Sequence, residues 1–322
     1  MELIRPYRKN EFEKQVLALF RFQAAHVPVY NEFLNYLSVD PQNINRMEQI
    51  PFLPIELFKH HKIITGGSRE ELVFTSSGTT GDRKSRHFVA DVKLYEKSFL
   101  SAFKIFYGEP SDYCILALLP SYMEQKNSSL VYMMDSLIKN SGHPDSGFYL
   151  HNRDALMKKI LDLKNHRQKT LLLGVSFALV ELAEKYEEDL SPVIIMETGG
   201  MKGRRKEMIR EELHHLICHA FNLQKVHSEY GMTELLSQAY SKGDGNFYAP
   251  PWMKILIRDS HDPFTFLSPG KTGAINVIDL ANFHSCSFIA TSDLGKLNSD
   301  GSFEVLGRMD NSDIRGCNLL IA

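Results

Sequence analysis

Apolar positions along this chain follow two different periods. Between residues 10 and 37 they recur at helical spacing through Phe12, Val16, Leu19, Phe20 and Ala24, with an aromatic patch at Tyr30, Phe33 and Tyr36. Pro51 and Pro54 then break the pattern. Proline donates to neither a helix nor a ladder, so the string from Ile50 to Lys59 is expected to be a rigid entry loop before a short helix. The apolar run Leu72-Val73-Phe74 comes next. Residues 91–107 read as a helix with Leu94, Tyr95, Phe99, Phe103 and Phe106 on one side, and residues 113–119 as a buried strand. Further along, 127–139, 155–165 and 177–188 read as helical, with 170–174 and 193–196 extended. A helix over 204–221 would turn Met208, Ile209, Leu213, Leu216, Ile217 and Ala220 inward.

Strand–loop–helix alternation predicts an α/β fold with helices layered on the faces of a sheet. After Tyr230 the texture changes. Residues 252–257, 273–278, 287–290 and 303–306 are short, strand-like and separated by Gly, Pro, Asp and Ser, which predicts a smaller, mostly antiparallel subdomain. The expected organisation is an α/β core over 1–240 and a β-rich subdomain over 241–322, continuous with the core.

Composition narrows the class. A hydrophobic content of 43% over 322 residues is enough for a sizeable core. The net charge of −2, with signs interspersed, gives no nucleic-acid surface and leaves a small molecule or a protein as the expected partner. No apolar run approaches the roughly 20 residues needed to span a bilayer, and the first residues lack the apolar segment of a signal peptide. Cys114, Cys218, Cys286 and Cys317 form no CxxC pair. That fits a reducing cytoplasm and argues against a cysteine-rich zinc site.

Candidate chemistry begins at Ser76-Ser77-Gly78-Thr79-Thr80-Gly81, followed by Lys84. Glycines let the backbone aim successive N–H groups inward, hydroxyls add donors, and the lysine brings a mobile positive charge. Such a stretch makes an anion cradle, although a plain Ser/Gly turn between strands has the same composition. It is not a Walker A loop, because Gly-Lys-Ser/Thr is missing. No Gly-x-Ser-x-Gly elbow is present, which disfavours a serine hydrolase. The adjacent pairs His60-His61 and His214-His215 point in different directions and are expected at the surface.

Together with three later stretches, this loop resembles the motifs of the ATP-dependent adenylate-forming enzymes. Tyr230-Gly231-Met232-Thr233-Glu234 is similar to that family's Tyr-Gly-x-Thr-Glu motif. Thr291-Ser292-Asp293 resembles Thr-Gly-Asp with Ser in place of Gly, and Gly307-Arg308-Met309-Asp310 resembles the hinge motif with altered acidic spacing. The string from Ile50 to Lys59 further resembles the acyl-protein synthetase branch, named for the synthetase subunit of bacterial bioluminescence fatty-acid reductase.

This resemblance implies the fold of an adenylate-forming enzyme's large N-terminal domain, with ATP and Mg²⁺ as cofactors. It also implies residue roles. The 76–81 loop and Lys84 would hold the phosphates, Thr233 the α-phosphate, and Glu234 the Mg²⁺. Tyr230 would stack on adenine beside Gly231, Asp293 would take the ribose hydroxyls, and Arg308 would contact ribose or phosphate. Gly199 and Gly200, at a strand end, either permit close ligand approach or form a plain turn. His227 would orient the carboxylate.

Ordinary members carry a C-terminal lid beyond the hinge, and this sequence ends at Ala322, so a lid is expected to be absent. In the acyl-protein synthetase branch a cysteine near the C-terminus accepts the acyl group, and Cys317 matches its position. The resulting expectation is activation of a carboxylic acid, in particular a fatty acid, as an acyl-adenylate. The acyl group would then pass to Cys317 and on to an acyl-CoA-reductase-like protein partner. An acyl-CoA or acyl-carrier-protein ligase without its own lid is the rival within the class. A non-catalytic ATP- or acyl-binding protein is the rival outside it.

Overall fold

The computed structural model describes residues 3–77, 83–121, 123–199 and 208–309. Its strands in chain order are β1 (Leu53–Pro54), β2 (Leu72–Thr75), β3 (Arg86–Val89), β4 (Cys114–Leu118), β5 (Gly147–Phe148), β6 (Thr170–Val175) and β7 (Ile194–Thr198). They continue as β8 (His227–Tyr230), β9 (Ala239–Ser241), β10 (Asn246–Phe247), β11 (Met253–Arg258), β12 (Thr272–Asp279), β13 (Phe288–Leu297) and β14 (Phe303–Arg308). The helices are α1 (Lys9–His26), α2 (Pro28–Tyr36), α3 (Leu57–His60), α4 (Val92–Tyr107), α5 (Ser129–Ser141), α6 (Arg153–Asn165), α7 (Ser176–Lys185) and α8 (Arg210–Phe221).

One sheet runs β5-β4-β6-β7-β8-β9. All its pairs are parallel except β8–β9. Every residue of β4 and β6 is buried, as expected of strands covered on both faces. A second sheet runs β10-β14-β13-β12-β11 with antiparallel pairing, and β1 adds to β13 in parallel. Strands β2 and β3 form a separate antiparallel pair.

The expected helix over 10–37 is two helices. Val27 is extended, because a residue before proline is pushed out of the helical region, and Pro28 opens α2 where its missing N–H costs nothing. Strand β13 runs well past the expected 287–290 and through Thr291-Ser292-Asp293. Its pairing with β12 covers Phe288–Ala290, skips 291–293 at a register shift and resumes at Leu294, while Asp293 pairs with Arg308 of β14. Ile209 is not inward as expected; it precedes α8 and is 62% exposed.

Both N-terminal helices serve the second sheet. Phe20 and Tyr30 reach Phe288 of β13 with ring centroids 5.9 and 6.1 Å apart. The buried side-chain amide of Gln23 donates to the carbonyls of Asn282 and Phe283, both at 2.9 Å, and its oxygen accepts from the Ser287 N–H at 2.9 Å. Among the described residues no helix is long and apolar enough to cross a membrane.

Replacing Gln23 by Ala strands buried carbonyls and an N–H at once. We expect a loss of about 2–4 kcal/mol, read as a lower urea midpoint with unchanged slope. An unchanged midpoint would show that the 282–287 turn holds itself.

Candidate active site

Three structural routes lead to one place. The first is the carboxyl end of the parallel sheet, where β6, β7 and β8 deliver Ser176, Gly199 and Tyr230. Gly199 has φ +66°, a left-handed conformation that favours glycine, and its carbonyl accepts from the Ser176 hydroxyl. The second is the β13–β14 pair, whose register sets Asp293 directly opposite Arg308. Cross-strand partners share a face, and the Arg308 Nε lies 3.6 Å from Asp293 Oδ1. The Tyr230 hydroxyl joins the two sheets by donating to Asp293 Oδ2 at 2.8 Å.

The third route is the β2–β3 hairpin. The Ser85 N–H donates to the Ser76 hydroxyl at 3.0 Å, and the Ser76 N–H donates to the Ser85 carbonyl at 3.1 Å. These bonds close the stem of the Ser/Gly/Thr loop. The Ser85 side chain also lies beside that of Glu234, which brings the stem to the 231–238 loop. Burial pushes the Glu234 carboxyl up; the Ser85 hydrogen bond and the Arg308 charge pull it part of the way back. Asp293 is also raised by burial, offset by Tyr230 and Arg308.

Side chains absent from the sequence reading hold the 231–238 loop in place. Asp279, fully buried, accepts from the Leu236 N–H at 2.9 Å and the Ser237 hydroxyl at 2.6 Å. The Asn282 side chain donates to the Glu234 carbonyl at 2.9 Å. His87 Nδ1 lies 2.9 Å from the Thr233 carbonyl. No local motif marks these residues, because their partners are distant in sequence.

Ser76, Tyr230, Glu234, Asp293 and Arg308 are therefore gathered, with Thr233 half-buried beside Glu234. Ser77 and Lys84 are exposed at the two ends of the loop. Gly78, Thr79, Thr80, Gly81, Gly200 and Cys317 lie outside the described residues. His227 stands apart, at the start of β8. Its Nδ1 pairs with the Tyr107 hydroxyl at 3.1 Å, and burial with nearby Lys225 and Lys242 pushes the imidazole down to about 4. His214 is not at the surface as expected: its Nε2 lies 3.7 Å from the buried carboxylate of Glu197. Ser292, which replaces a glycine of the motif, donates to Glu56 Oε1 at 2.6 Å. Beside it a cavity of about 500 Å³ is lined by Phe33, Phe52, Arg258, Phe264 and Met309 among others.

Under Tyr230 sits a carboxyl with no cation beside it among the described residues. Glu229 is buried and accepts from the Thr198 hydroxyl. A β-carbon on Gly231 would collide with the Glu229 carboxyl, so the turn needs glycine there. Burial pushes Glu229 up to about 7, with Thr198 opposing and Glu197 adding to the rise.

The architecture is that of the adenylate-forming enzymes. Against 2-hydroxyisobutyryl-CoA ligase, solved with 2-HIB-AMP, the TM-score is 0.68 at 13% identity over 94% of this chain and 68% of that one. Against ATP-bound MatB from Rhodopseudomonas palustris it is 0.51 at 21% identity over 75% of this chain, which spans about half (49%) of that structure. At these identities the likeness is one of fold. The chain belongs to the acyl-protein synthetase family: the family model described as "Acyl-protein synthetase, LuxE" matches residues 1–322. It is 23% identical to the long-chain-fatty-acid–luciferin-component ligase of Aliivibrio fischeri, over 98% of this chain and 89% of the relative. The corresponding Vibrio harveyi ligase is 22% identical over 90% of this chain and 82% of its own length.

Because Glu229 is raised, the folded protein holds its proton more tightly than the unfolded chain. That stabilisation is complete below the ordinary carboxylate range and is lost as pH rises through about 7. Glu229→Gln should therefore match the parent at pH 4 and exceed it at pH 8 by about 4 °C in Tm, following from a shift worth about 3 kcal/mol at most. Equal melting at both pH values would mean that Glu229 titrates normally.

Proposed function

We propose that the chain activates a fatty acid with ATP to give acyl-adenylate and pyrophosphate, and then passes the acyl group to Cys317. The carrying observation is the convergence of Tyr230, Glu234, Asp293 and Arg308 beside the Ser76–Ser85 stem. Family membership and the names of the relatives support a long-chain acid as substrate.

In this reading Asp293 accepts hydrogen bonds from the ribose hydroxyls while Tyr230 packs its ring against adenine. Gly199 and Gly200 leave room for ligand at the sheet edge, and Gly231 for the turn beneath it. The loop hydroxyls and N–H groups of 76–81 donate to the phosphates, Lys84 follows their β/γ end, and Thr233 donates to the α-phosphate. Glu234 fits a hard cation: its carboxyl is buried, lies beside the Ser85 side chain and has no full counter-charge among the described residues. Magnesium bound there would neutralise charge on the phosphates.

A fatty-acid carboxylate oxygen attacks the α-phosphorus, the bond to the bridging oxygen breaks, and pyrophosphate departs with the electron pair. The pocket contributes orientation and charge stabilisation. The thiol of Cys317 then loses its proton to solvent, the sulfur attacks the acyl carbonyl, and AMP leaves. A reductase-like partner would next receive the acyl group. The assignment of Cys317 rests on its sequence position.

Fatty-acid-dependent ATP–pyrophosphate exchange, screened over graded chain lengths, tests the first step; no exchange with any acid would leave a binding protein. Asp293→Asn should raise the KM for ATP by about 10- to 100-fold. Cys317→Ser should retain exchange yet lose stable labelling by radioactive fatty acid. Retained labelling would remove Cys317 as acceptor.

A further inference from the structure

Two imidazoles line one cavity beside Leu236 of the 231–238 loop, and neither is used by the reaction as drawn. His87, on β3, is wholly buried. Its Nδ1 faces the Thr233 carbonyl at 2.9 Å, so Nδ1 carries the proton and Nε2 presents a lone pair. Nε2 is buried and has no partner among the described residues. The same holds for Nδ1 of His284, which follows β12. Both residues line one cavity of about 10 Å³, together with Asp91, Leu94, Leu236 and Ala281.

Buried imidazole nitrogens without partners are costly, and a cavity of this size is at the lower limit for one water. Two other polar groups around it have partners, and the Asp91 charge acts on His284. Asp91 Oδ1 caps α4 by accepting from the Leu94 N–H at 3.0 Å, and the Ser285 hydroxyl donates to the Ile63 carbonyl at 3.0 Å. Among the described residues no three His, Cys, Asp or Glu side chains gather to hold a metal. Burial pushes His87 down to about 4, which keeps it neutral and its Nε2 free to accept.

We infer that the cavity holds one ordered water, which donates to His87 Nε2 and bonds His284 Nδ1, and that through it His87 is a positioning residue for Thr233 and Glu234. The water satisfies one side of the ring while the other side fixes the Thr233 carbonyl. His284 thereby reaches the nucleotide loop without touching it. The functional half of this inference rests on the nucleotide reading above; the water does not.

A crystal structure of the full chain should show a single peak about 2.7–3.2 Å from both nitrogens. A dry cavity overturns the inference, as does a peak at about 2.0–2.1 Å with a zinc anomalous signal. His284→Leu takes away one of the water's partners. By calorimetry it should weaken binding of a non-hydrolysable MgATP analogue roughly threefold to tenfold, and His284→Gln should recover most of the loss. In the exchange assay the change should fall on KM for ATP and leave kcat near the parent value. Unchanged analogue affinity in His284→Leu overturns the positioning role. An unmodified protein that binds the analogue but shows no exchange would overturn adenylation alone.

Discussion

Asp279 is a buried carboxylate with no cation beside it among the described residues, and the arrangement around the nucleotide motif depends on how it is satisfied. Burial pushes its pKa up to about 6, while bonds from Ser237, Leu236 and Ala281 pull the other way. Desolvating such a group is tolerable only where several donors converge on it. Here two of those donors, Leu236 and Ser237, belong to the segment after Glu234, so satisfying the carboxylate also pins that segment. Trp252 and Ser98 extend the network: the indole N–H reaches the Ser98 and Ser237 hydroxyls at 3.0 and 3.1 Å. A chain of polar contacts thus runs from α4 through the loop to the second sheet.

Around this anchor the two sheets meet through a few directed bonds. Tyr230 leaves the parallel sheet to reach Asp293 on the antiparallel one. Arg210, opening α8, lies 3.5 Å from Glu197, donates to the Val305 carbonyl at 2.7 Å and sits 5.0 Å over the Phe247 ring. Directional bonds between sheets fix distance and orientation where apolar packing alone would allow sliding. Such precision suits a site that must align a carboxylate with a phosphorus atom.

Much of this was legible along the chain. Periodicity located the helices because each needs an apolar stripe: Tyr95, Phe99 and Phe103 fall on one side of α4 and are buried there. Continuous apolar runs marked β4 and β6 because parallel strands are covered on both faces. Four motifs pointed to a nucleotide. Strand β13 was cut short because its motif residues are polar; pairing with β12 before and after the motif carries the strand across it. His214 read as a surface residue because nothing nearby in sequence announces Glu197.

Local pattern and motif order by themselves determined the α/β class and the later antiparallel strands and singled out Tyr230, Glu234, Asp293 and Arg308, which the fold brings together, since periodicity and turn chemistry act over a few residues. Only the tertiary structure decided which side chains hold those residues in position. Gln23, His87, Asp279 and Asn282 act across sequence separations of 42 to 264 residues. It also separated His227 from the cluster, on Tyr107. A buried polar group is satisfied by whichever donors or acceptors the folded chain brings within about 3 Å, and that proximity has no signature in the linear order of residues.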